Sequence, residues 1–281
     1  MGTQGLPKGP NWTARTLYPP ILPIIATRDP VEHAQRRRPW NRGFSTAALK
    51  EYQPIIAKRV AQLVESLASE QGVVNLVERI SFFTYDFMGD MAFGGGTEML
   101  KEGDKDGLWG LIHKGLDSCI IYDHLPWLPH FVKLLPGGAG DIRKMRGTFL
   151  KRTASRFNAG SKTKDLFYYL SNEDGGDAQS PSPALVISDG ALAVVAGSDT
   201  TASVLSNIFW CLLSHPEVYK RLQQEVDQYY PQQEDALDTT HHTKMFYLEA
   251  VINEALRLYP AVPSGSQRAP IPGEGDKVIG P

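Results

Sequence analysis

The chain has 281 residues, 42% hydrophobic and 21% charged, which are the proportions of a globular protein and exclude a mostly disordered one. With 29 Lys and Arg against 31 Asp and Glu, the net charge of −2 provides no general field for holding nucleic acid. Two cysteines, Cys119 and Cys211, exclude a disulfide-dense scaffold, and residues 1–10 lack the apolar centre of a signal peptide.

Residues 1–23 scatter Gly and Pro among aromatics and read as loop. Residues 30–67 carry two helical patterns joined at GFSTAALK, with Ser45 or Thr46 as the N-cap of the second and Pro39 expected to disrupt the first. A helix is predicted over 73–93 and stopped by Gly94-Gly95-Gly96, and another over 107–122 before LPWLP breaks the chain. Residues 139–157 form a basic amphipathic stretch, and 164–170 add a turn or two. The loop SNEDGGDAQSPSP then leads to a long helix over 183–213, with Ser182 as N-cap and Pro183 in the first helical position. Helices over 215–229 and 244–258 follow. Turn chemistry and short apolar runs after residue 264 predict strands there.

Three features carry chemistry. The long helix is apolar on every side, which predicts burial through the middle of a domain. Within it, Ala196-Gly197-Ser198-Asp199-Thr200-Thr201 is a local contradiction. Glycine and paired threonines weaken a helix, and an unpaired carboxylate in a dry segment is expensive. Such a spot is either a proton-delivery site that something flat can approach, or a small-residue packing seam with Asp199 in a salt bridge. Glu254 and Arg257, at i,i+3 in EALRLYP, share a helix face and can pair. HAQRRRPWNRGFS, residues 33–45, crowds cations into a short helix, with His33 and Arg37 facing the same way at i,i+4. A solvated basic face is the plain alternative; a small dianionic cofactor suits the cluster better than nucleic acid.

Taken in order and distance, the three features resemble the cytochrome P-450 family of haem-thiolate monooxygenases. AGSDTT is similar to the family's oxygen-activation motif in its long central helix, EALRLYP to its Glu-x-x-Arg helix, and HAQRRRPWNRGFS to its early propionate-binding helix. VERISFFTYDFMGDMAFGGG resembles the following segment of fungal members. The resemblance implies a mainly α fold with a minor β portion, built around one long helix, with residues 1–281 as a single partial domain from the middle of the family fold. It implies haem and molecular oxygen as cofactors, electrons from NADPH through a reductase partner, and a lipophilic small-molecule substrate. By the same resemblance Asp199 and Thr200 are catalytic, His33, Arg37, Ala196, Gly197 and Arg268 bind the cofactor, and Glu254 and Arg257 form a structural pair.

The family's Phe-x-x-Gly-x-Arg-x-Cys-x-Gly loop is not in these residues, and neither Cys119 nor Cys211 has its surroundings; both read as buried apolar residues. The expectation is therefore a chain lacking the N-terminal anchor and the haem-cysteine loop, and inactive alone. Membrane contact, at the endoplasmic reticulum, is expected only of a full-length member. A non-catalytic helical interaction protein retaining part of the fold is the alternative. A magnesium-dependent cyclase is disfavoured, because Glu173, Asp174 and Asp177 sit in a Gly-rich loop, and no metal-ligand spacing is evident among the histidines.

Overall fold

The computed structural model describes residues 6–270 except 16, 18, 20, 106, 133, 233, 236, 237 and 264–266. Among these it forms α1 (Asn11–Arg15), α2 (Pro30–Gly43), α3 (Thr46–Ala68), α4 (Leu76–Phe93), α5 (Met99–Glu102) and α6 (Leu108–His124). There follow α7 (Leu128–Val132), α8 (Gly140–Ala159), α9 (Leu166–Leu170), α10 (Pro183–Ser214), α11 (Pro216–Tyr229) and α12 (Phe246–Leu258). The fold is mainly helical. The only β pairing among the described residues is an isolated antiparallel bridge between Lys8 and Arg268, flanked by Gly9 N–H to Gln267 O at 2.7 Å. Residues 271–281 of the predicted strands lie outside the described residues.

Local chemistry sets the helix ends. Ser45 accepts from Ala48 N–H and Ser182 from Leu185 N–H, satisfying amides that the first turn cannot. Gly94 ends α4 in the left-handed region at φ 70°, which a side chain would strain. Asn75 caps α4, so this helix starts after, not at, Val73. Contrary to expectation, α2 continues through Pro39 to Gly43. Three short helices add to those the sequence predicts: α1, α5 and α7 are too short to display a period. Helix α5 is held from outside, by the buried Asp86 carboxylate accepting from Met99 and Leu100 N–H at 2.9 and 3.0 Å.

The largest core joins α3, α4, α8, α9 and the first half of α10, around Phe82, Tyr85, Phe149, Phe167 and Val194. Fully buried Arg59 ties α3 to α4 with two bonds to Asp90, each 2.7 Å. A second cluster joins α1 to α6 and α8, and a third joins the end of α10 to α11 and α12. Helix α10 is the core's spine, lying chiefly on α4, but it is not surrounded along its whole length. Ser188 to Ala191 are buried around the whole helix, whereas farther along Ala196, Thr201, Trp210 and Leu213 stand exposed while Ser198 and Leu212 are buried, so burial on every side is corrected to burial on every side in the first half only.

Candidate functional site

The site is set by where α2 meets α10. Arg36 on α2 donates to Asp189 on α10 at 2.7 Å, with both side chains only 9% exposed. Asp189 also accepts the backbone N–H of Ile24 at 2.8 Å, and Arg36 reaches Leu22 O and Thr27 Oγ1 at 2.9 Å. A charge this buried is tolerated because it is paired and hydrogen-bonded, and the pair fixes loop, α2 and α10 against one another.

Beside this tie is a cavity of about 590 Å³. Helix α2 contributes His33, Arg37 and Trp40; α10 contributes Leu192, Ala193, Ala196, Gly197 and Thr201; α4 contributes Phe83, Phe87 and Met88; and Lys8 comes from the N-terminal loop. Two sequence motifs some 160 residues apart (roughly, by the numbering) thus supply facing walls of one space within the size range of ligand pockets, about 300–1,000 Å³.

Its electrostatics are one-sided. Among the described residues the lining holds Lys8, His33 and Arg37 and no carboxylate. Burial, then the like charges of Arg268, Arg36 and Arg37, push the Lys8 ammonium down to about 8, with Asp189 opposing. Burial and then Lys8 and Arg37 push His33 below its ordinary value. Lys8 donates to Ile24 O at 3.0 Å and Arg37 Nε to Asn41 Oδ1 at 2.9 Å, which are neutral partners. Cations made uncomfortable by one another would gain from an anion.

The remaining predicted residues fall elsewhere. Asp199 and Thr200 are half-buried and outside the lining; Thr201 is the threonine that faces the cavity. The Thr200 hydroxyl donates to Ala196 O one turn earlier at 2.6 Å. Burial raises the Asp199 carboxyl above its usual range, with His113 opposing and Asp117 adding to the shift. A Cβ on Gly197 would lie 2.7 Å from Met88 Sδ, so this glycine makes room first for α4. Arg268 is outside the lining, with its backbone bridged to Lys8 and its guanidinium donating to Leu6 O at 3.4 Å. Glu254 and Arg257 do pair, in two bonds of 2.7 and 2.6 Å, but on an exposed face. That bond holds the Glu254 carboxyl below its usual range. Cys119 is buried between α1 and α6, its thiol pushed up by burial; Cys211 is only half-buried; neither lines the cavity. Asp174 and Asp177 bind Arg42, each at 2.6 Å.

The model of the cytochrome P450 family matches residues 8–272, spanning every element of this site. The chain belongs to the cytochrome P450 family. It is 36% identical over 271 residues to a cytochrome P450 monooxygenase of Fusarium pseudograminearum, covering 95% of this chain and 48% of that protein. It is 33% identical over 270 residues to one of Eupenicillium brefeldianum, covering 95% and 53%. It is 29% identical over 273 residues to a tryprostatin B 6-hydroxylase of Aspergillus fumigatus, covering 91% and 47%. The chain spans about half the length of the curated relatives it matches.

The cytochrome P450 cofactor is haem, a flat apolar ring bearing two carboxylates. The cavity fits it on the chemistry of its donors: cations without a carboxylate among them, beside walls of aromatic and aliphatic side chains. Among the site residues that sequence reasoning missed are Lys8, the Arg36–Asp189 pair, Thr201 and the apolar wall from α4. Asp189 had a signal, being, like Asp199, a carboxylate inside an apolar helix. Lys8 had none, because a distant bridge to Arg268 places it.

Proposed function

We propose that the protein containing this chain is a haem-dependent monooxygenase oxidising a lipophilic small molecule, with the cofactor seated between α2 and α10. The observation that supports this most is the meeting of His33 and Arg37 with Ala196 and Gly197 around one acid-free cavity. Bound haem supplies the iron at which oxygen is activated. His33 and Arg37 would hold its carboxylates through charge-assisted hydrogen bonds, with Arg268, whose charge reaches Lys8 and His33, adding positive field from outside the lining. Ala196 and Gly197 keep the α10 wall low, so that a flat ring can lie close to the backbone.

The role of Asp199 and Thr200 is proton supply. The raised Asp199 carboxyl holds a proton to higher pH than an exposed aspartate. Thr200 lies outside the lining and donates to Ala196 O, so a relay through it has the hydroxyl turn from that carbonyl to hand its proton toward the cavity while its lone pair accepts one from the Asp199 side. Family membership supports a redox partner as the electron source; NADPH through a reductase, at the endoplasmic reticulum membrane, completes the proposal. The name of the tryprostatin B 6-hydroxylase supports hydroxylation as the reaction class.

Replacing Thr200 by Ala in the intact protein tests the relay. The expected outcome is that reductant is still consumed while product per reductant falls, because the proton-transfer step that general acid–base catalysis assists by about 10²-fold or more is slowed. Unchanged coupling would remove Thr200 from the proton path.

A further inference from the structure

A second cavity, about 950 Å³, is lined only by residues between Pro54 and Asp165 and shares none with the first. It opens between α3, the end of α4 and the C-terminal half of α8. One wall is apolar: Ile55, Pro54 and Phe93, the last stacked on Phe149 with ring centres 6.0 Å apart. The other is cationic. Five Lys and Arg line the cavity against two acids, and both acids are already engaged. Asp90 takes both of its short bonds from Arg59, and Asp165 binds Arg156 at 2.7 Å while capping α9 through Tyr168 N–H. Lys58 is 3.8 Å from Asp90, at the edge of ion-pair range. Arg152 lies over the Phe93 ring at 5.9 Å, so charge and aromatic surface meet at the same point.

We propose that this cavity binds an amphipathic organic anion: a compact aromatic body against Phe93 and Ile55, with its acidic group toward Lys151, Arg152 and Lys162. A solvated basic face would need no concavity and no apolar wall. Here the surplus charge lines a recess of ligand size, flanked by aromatic surface that one ligand could cover. The site stands apart from the cofactor cavity and does not depend on its assignment.

The test is calorimetric titration of the purified protein with naphthalene-2-sulfonate, with 2-naphthalenemethanol and inorganic sulfate as comparisons. The sulfonate should bind at least about tenfold more tightly than either, since hydrogen bonds to charged groups are worth about that factor or more and sulfate lacks the ring. Exchanging Lys151 and Lys162 together for Gln, both exposed positions, should weaken it by about tenfold or more. Ala159→Trp, also at an exposed position, should block it by filling the recess. Arg37→Ala, in the other cavity, should leave it unchanged. Equal affinity in the double variant, equal binding of the alcohol or sulfate, or loss in Arg37→Ala would overturn the proposal.

Discussion

Lys8 carries a consequence for pH. Its ammonium titrates near 8 in the folded chain and at 10.5 in the unfolded one. Between these values the unfolded chain binds a proton that the folded chain does not, so the contribution of Lys8 to stability rises with pH across that window. His33, also lowered, acts in the same sense at lower pH. In urea titrations from pH 8 to pH 10.5 (about the window those values define), the Lys8→Met variant should lose part of the rise in midpoint seen for the parent. Identical pH profiles would show that Lys8 is neither buried nor held among other cations. At this scale the sequence was only partly legible. His33, Arg37, Ala196 and Gly197 belong to local patterns and meet in one cavity. Which threonine faces it could not be read, since the phase of α10 relative to α2 is set by the Arg36–Asp189 pair.

At the scale of elements, the two glycines of α10 do different things. A Cβ at Gly190 would meet Thr153 Cγ2 at 2.7 Å and the Phe167 ring at 3.0 Å, where α10 crosses α8 and α9. A Cβ at Gly197 would meet the sulfur of Met88, the end of a flexible side chain. Replacing glycine by alanine favours a helix by about 1 kcal/mol, whereas overpacking costs about 1–3 kcal/mol. Gly190→Ala should therefore lower stability in chemical denaturation, and Gly197→Ala should leave it near the parent value. The reverse order would mean that the α4 contact is the rigid one. Periodicity and caps made the long helices legible, because Ser45, Ser182 and Gly94 act within a turn. They missed α5, whose amides are satisfied by Asp86 from another helix.

For the whole molecule, the fold places three loosely related motifs into two classes. The basic helix and the small-residue stretch converge on a cavity, while the Glu254–Arg257 pair sits on an exposed face of α12. The proposed function requires that the α2–α10 cavity receive the carboxylates of haem. Arg37 and Arg42 offer the most direct comparison, because they share α2 and one charge type but only Arg37 lines the cavity. Arg42 is spent on Asp174, Asp177 and Asn172, tying α2 to the loop before α10. The measurement is haem content per protein and the rate of haem transfer to an excess acceptor, for the Arg37→Ala and Arg42→Ala variants of the intact protein. Arg37→Ala should lose haem about tenfold or more faster, as removal of a charge-assisted bond implies, while Arg42→Ala should unfold more readily but retain its haem until it does. Equal haem retention in the two variants would contradict it.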